Sequence, residues 1–159
     1  MSAAASRPGP GPLAGLDPGR SKCGLVLTDA ERQQIVAAAV LPPQDALALL
    51  SHWQHGSGLA AVVLGNGTGS SLWQQRLAAG GLLVLPVEER GSTLAARERY
   101  WQLHPPRLWQ RLLPPGLRQP PRDWDDVVAQ LLLERWLSRP LLRSQTLAVP
   151  QKLARTVKA

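Results

Sequence analysis

Hydrophobic residues along the chain fall into short runs separated by turn residues. The run LAGLD at 13–17, followed by KCGLVLTD at 22–29, predicts two strands joined at PGRS, since Pro-Gly is a strong turn signal. QQIVAAAVL at 33–41, beyond the polar TDAER, predicts a third strand and completes a three-strand antiparallel meander. In PQDALALLSHWQH, 43–55, apolar residues at 46, 47, 49, 50 and 53 follow the spacing of one helix face. LAAVVLG at 59–65 is continuously apolar, as in a strand buried on both faces. After the loop NGTGSS, SLWQQRLAAG at 71–80 predicts a short helix stopped at Gly80-Gly81, and LLVLPV at 82–87 a second buried strand ending at Glu88-Glu89. STLAARERYWQLH at 92–104 begins with Ser92 or Thr93 as N-cap and stops before Pro105-Pro106, so it predicts a helix. The Pro- and Arg-rich stretch 105–121 is expected to be an ordered but irregular loop, and DWDDVVAQLLLERWL at 123–137, with acids in its first turn, a final helix. Together these elements predict an α/β layer fold with a mixed five-stranded sheet, the meander plus two parallel strands, flanked by helices.

A length of 159 residues suits one domain with one core. Residues 1–12, small and rich in Pro and Gly, are expected to form a disordered tail, 13–138 the domain, and 139–159 a basic C-terminal extension. The longest apolar runs, such as IVAAAVL, fall short of the roughly 18 residues of a membrane span, so a soluble protein without a membrane partner is expected. Cys23 is the single cysteine, which excludes an internal disulfide and a cysteine zinc site; it is expected to be a buried small apolar residue in a cytoplasmic protein. The net charge of +7 is unevenly spread: residues 1–89 hold five Lys/Arg against six acids, residues 90–159 thirteen against five. That asymmetry points to a polyanion such as nucleic acid, although an Arg-rich composition also simply aids solubility.

Three acidic positions stand at element ends: Asp17 after the first strand, Glu88-Glu89 after the last, and Asp125-Asp126 in the first turn of the final helix. If the first strand is central and parallel to the one ending at Glu88, these acids meet at the carboxyl edge of the sheet, where open α/β sheets place their sites. Clustered carboxylates repel one another and need a cation. Oxygen ligands suit Mg²⁺ or Mn²⁺, and two such ions can activate water and stabilise the leaving oxygen in phosphodiester hydrolysis. Each acid also has a plain structural reading: Asp17 as a turn former, Glu88-Glu89 as a solvated strand end, Asp125-Asp126 as helix-dipole acids.

GLDPGRSKCGLVLTD resembles the first hairpin of the RuvC-like and YqgF-like (RuvX) nucleases of the ribonuclease H-like fold, with Asp17, Gly19, Lys22 and Gly24 matching. VEERGSTLAAR is similar to the YqgF-type Asp-Glu-Arg-x-x-Thr segment, with Glu88 in the Asp place and Glu89, Arg90 and Thr93 matching. DDVVAQLLLERWL is similar to their last helix, where spacing from Glu134 and Trp136 favours Asp125 over Asp126, and LGNGTGS to a Gly-Asn-Gly-Thr turn in the YqgF-like domain of bacterial transcription accessory factors. The resemblance implies a metal-dependent, two-ion nuclease acting on branched DNA or precursor 16S ribosomal RNA. Asp17, Glu89 and Asp125 would be catalytic metal ligands, with Glu88 and Asp126 as alternates, and Mg²⁺ or Mn²⁺ would be the cofactor. Because Glu88 replaces an Asp and the segment 105–121 is longer and more proline-rich than in the family, a catalytically weak or inactive nucleic-acid-binding module is the alternative.

Lys22, Arg90, Arg97, Arg107, Arg111, Arg118 and Arg122 are the candidate phosphate contacts. Arginines 97, 99, 107 and 111 interleave with Tyr100, Trp101 and Trp109, which pairs phosphate contact with base stacking unless the aromatics are core. The Gly spacing of GNGTG argues against a dinucleotide loop; the backbone N–H groups of Gly67 to Gly69, at a helix start, suit either a phosphate or simple turn chemistry. His52 and His55 lack a third ligand and are expected on the surface. A monomer suits RNA trimming; a homodimer suits symmetric cutting of a junction.

Overall fold

A computed structural model describes residues 7–67, 69–89, 92–105, 111–114 and 125–148, with the backbone alone at 92–94, 97 and 148. Strands β1 (Leu13–Asp17), β2 (Cys23–Thr28) and β3 (Gln34–Leu41) form the antiparallel meander. Helix α1 (Pro43–Gly56) leads to β4 (Ala61–Gly65), α2 (Ser70–Ala79) to β5 (Val84–Val87), and α3 (Ser92–Leu103) precedes α4 (Asp125–Leu137) and β6 (Leu142–Ala148).

The sheet order is β5-β4-β1-β2-β3-β6, with β4 and β5 parallel to β1. The meander and the two parallel strands are thus as expected of a ribonuclease H-like sheet, but there are six strands rather than five. The sixth comes from residues read as part of an extension: LRSQTLA alternates weakly, because an edge strand pairs on one side only, here in parallel with β3.

Period-two alternation explains the layers. Ala14 and Leu16 of β1, with Cys23, Leu25 and Leu27 of β2, pack under Ala46, Leu49, Leu50 and Trp53 of α1 and Trp73 and Leu77 of α2. The opposite positions, Leu13, Val26, Ile35, Ala38, Ala61, Val63 and Leu85, meet Ala129, Leu132 and Leu133 of α4. At about 1.5–3 kcal/mol for each fully buried large side chain, the first seam holds α1 and α2 on one face and the second fixes α4 against the centre of the other. Cys23 is fully buried, as expected. No helix among the described residues is long and apolar enough to cross a membrane.

Candidate active site

Asp17 is the last residue of β1 and not a free turn residue. It lies on the α4 side with Leu13 and Gly15 and pairs with Gly24 of β2. Gly24 and Gly15 carve the seat for α4: a β-carbon on Gly24 would overlap the Asp125 carbonyl, and one on Gly15 would crowd the Ala129 carbonyl and the Leu133 side chain. The two glycines therefore let the helix backbone settle onto the sheet, and its first residue, Asp125, comes down beside Asp17.

Glu89 reaches the same edge through strand pairing. Leu16 stands level with Leu64, and Gly65 with Val87, so β1, β4 and β5 end together. The Asn66 N–H donates to the Val87 carbonyl at 2.9 Å, and the Glu89 N–H donates to Asn66 Oδ1 at 3.1 Å. The Glu89 carboxylate fills the space that side chains at Gly65 and Gly67 would occupy.

The Asp17 and Glu89 side chains are hydrogen-bonded to each other. Burial, then the charges of Glu89 and Asp125, and finally this hydrogen bond push the Asp17 carboxyl up to about 7. Burial also raises the Cys23 thiol, and the Asp17 and Asp125 charges add to it; the thiol, whose Sγ donates to the Gly19 carbonyl at 3.8 Å, stays neutral.

Of the alternates, Glu88 is exposed, and its carbonyl accepts a hydrogen bond from Arg135 Nη1 at 2.6 Å. Asp126 is 2% exposed, and its Oδ2 pairs at 3.0 Å with Arg143 of β6, whose Nε donates to Gln130 Oε1 at 2.8 Å. One residue along α4 turns the carboxylate from the acid site to the sheet edge. Arg99 pairs with Glu134 at 3.1 Å, and Tyr100, 3% exposed, packs edge-on against Trp101, so these two belong to the α3–α4 packing. Lys22 and Arg111 are exposed, as are His52 and His55. Arg97 lies on α3 with only its backbone described; Arg90, Arg107, Arg118, Arg122 and Trp109 lie outside the described residues, as do Thr68 of the GNGTG loop and the side chain of Thr93. Sequence reasoning missed Asn66, Gly65 and Arg135. Two glycines around an asparagine at a strand end were the available signal, but it pointed equally to a turn.

The donor set is all oxygen. Glu89 and Asp125 add to the raised proton affinity of Asp17, and such an all-oxygen set fits a hard divalent cation, although among the described residues no group of three or more His, Cys, Asp or Glu is arranged as a ready metal cage.

A scan of protein-family models gives no match to the chain, and a search of curated proteins gives none either. Among solved structures the chain is similar to T. thermophilus RuvC in complex with a Holliday junction substrate, at 19% identity and a TM-score of 0.47, over 80% of this chain and 94% of that one.

Proposed function

We propose that this chain is a metal-dependent endonuclease of the YqgF-like type, hydrolysing phosphodiester bonds in structured nucleic acid, either branched DNA or precursor 16S ribosomal RNA. The observation that carries the reading is the contact of Asp17 with Glu89 beside Asp125, at the carboxyl edge of the central strand, where nothing in the packing demands three acids. Asp17, Glu89 and Asp125 are the residues that would hold one or two Mg²⁺ or Mn²⁺ ions. Such ions take few protein carboxylates and leave room for water and phosphate. When bound, they supply Lewis acidity toward the phosphate and the attacking water.

The protein's own contribution is placement. β1 and the Gly24 seat fix Asp17 and Asp125, and the β4–β5 ends fix Glu89. Because burial and the neighbouring charges push the Asp17 carboxyl up to about 7, loading would require Asp17 to give up its proton near neutrality. Lys22, one residue before β2, and the basic residues between Glu89 and Asp125 would hold the backbone on either side of the scissile bond. The lone buried cysteine suits a reducing cytoplasm.

The test is cleavage of four-way DNA junctions and precursor 16S ribosomal RNA with Mg²⁺ or Mn²⁺, by the parent and by Asp17→Asn. Cleavage by the parent, with a loss of 10³-fold or more in the folded variant, is expected. Equal cleavage by both proteins would remove Asp17 from the site. The second reading, a binding module without turnover, draws on the absence of a ready metal cage among the described residues; tight binding of either substrate with no cleavage would favour it.

A further inference from the structure

Glu88 and Glu89 share one peptide bond, and that bond is held at both ends. Its N–H, on Glu89, donates to Asn66 Oδ1 at 3.1 Å; its carbonyl, on Glu88, accepts from Arg135 Nη1 at 2.6 Å. In a trans peptide the two groups point in opposite directions, so the grips come from opposite sides: Asn66 from the end of β4, Arg135 from the last turn of α4. Asn66 is itself fixed, because its N–H bonds the Val87 carbonyl. The Arg135 contact is charge-assisted, the stronger class of hydrogen bond.

From this geometry we infer that Asn66 and Arg135 are positioning residues that lock the Glu88–Glu89 peptide and thereby aim Glu89 at Asp17. A crankshaft turn of that peptide changes ψ of Glu88 and φ of Glu89 together, and with them the direction in which Glu89 leaves the chain. Val87 packs on the core, but Glu88 faces solvent, so side-chain packing at Glu88 does not resist such a turn. Locking it is the work of the two side chains. Arg135 belongs to the same helix as Asp125, so one element both supplies an acid and orients another. The inference rests on the acid-site reading for its purpose, but the lock itself does not depend on metal binding.

Two measurements separate the lock from the reading it serves. The first is amide exchange and order parameter at Glu89 in the metal-free protein, for the parent, Asn66→Ala, Arg135→Met and the conservative pair Asn66→Asp and Arg135→Lys. Both hydrogen bonds are solvent-exposed, so circular dichroism and Tm should stay close to the parent's. The Glu89 amide is expected to be protected in the parent and to exchange at least 10-fold faster in Asn66→Ala. In Arg135→Met, which touches only the carbonyl end, its order parameter should drop, and the conservative variants should recover most of the order. Parent-like ordering at Glu89 in both Asn66→Ala and Arg135→Met would overturn the lock. The second measurement is Mn²⁺ affinity by calorimetry: each of these two variants should bind about 10–100-fold more weakly than the parent. The double variant should be no weaker than the worse single one, because both act on one peptide. Strictly additive losses, or parent-like affinity in both, would overturn the positioning role. A parent that binds no Mn²⁺ would refute the metal site and, with it, the purpose assigned to the lock; the amide data would still decide whether the lock exists.

Discussion

At the residue scale the decisive group is Asp17. Its carboxyl titrates near 7 in the folded protein against 3.8 ordinarily, so between these values the folded state keeps a proton that the unfolded chain has released. Stability from this group is therefore complete below about pH 4 and is lost as the pH rises toward 7. In a chelating buffer, Asp17→Asn should match the parent's stability near pH 4 and exceed it progressively up to about pH 7. There the gap should reach about 2 kcal/mol, once solvent at the rim of the site is allowed for. Urea unfolding at several pH values measures it; a gap that shrinks as pH rises would contradict the burial and repulsion assigned to Asp17. Mg²⁺ at pH 7 should then stabilise the parent and leave the variant unchanged. The sequence made Asp17 visible, because an acid closing an apolar run before Pro-Gly is unusual. It did not show the raised proton affinity, which comes first from burial and then from Glu89 and Asp125, both brought to the sheet edge from sequence distances no local pattern spans.

At the element scale, the strands and helices with a strong period were legible: β1 to β5 from alternation or continuous apolar runs, α1 and α4 from their apolar faces. β6 was not, because its alternation is diluted by Arg143, Ser144 and Gln145, and the reason for Arg143 lies in Asp126 of another element. Arg143→Met should cost about 3–5 kcal/mol, since it leaves the nearly fully buried Asp126 without that partner, and Asp126→Leu added to it should return most of the loss. Chemical unfolding of the two variants checks this; equal stabilities would show the pair to be incidental. Glycine roles were legible only in part. Gly24 matched a family hairpin in the sequence, whereas its physical task is to admit the Asp125 backbone. Gly24→Ala should cost about 1–3 kcal/mol by forcing α4 off its seat, and should weaken Mn²⁺ binding with it. Gly56→Ala, at the end of α1 where a β-carbon meets nothing within 4 Å, should be neutral or stabilising by up to about 1 kcal/mol. A Gly24→Ala protein as stable as Gly56→Ala would refute the seat.

At the scale of the whole molecule, the uneven charge was plain in the sequence, and its use is the last prediction. The half that carries the excess of Lys and Arg also supplies α4, so the basic residues between Glu89 and Asp125 begin and end at the acid site whatever path they take between. Lys22 stands one residue before the strand whose Gly24 pairs with Asp17. Of the candidate phosphate contacts, Lys22 and Arg111 are exposed, and Arg107 is a neighbour of Arg111 in sequence. Phosphate contacts release counterions, so each one lost should lower the slope of log K against log salt by about 0.7–0.9, while affinity falls alike for all sequences. Lys22→Gln should show one such step in filter binding to a junction or a structured RNA. Arg107→Glu with Arg111→Glu should show at least two, because repulsion adds to the lost contacts. Metal affinity is expected to stay at the parent's value in both variants if these residues serve the phosphate backbone. If instead the slopes equal the parent's, the basic half is a solvated surface and the nucleic-acid groove lies on another face; if Mn²⁺ affinity falls along with the slope, these residues serve the acid site directly rather than the phosphate backbone.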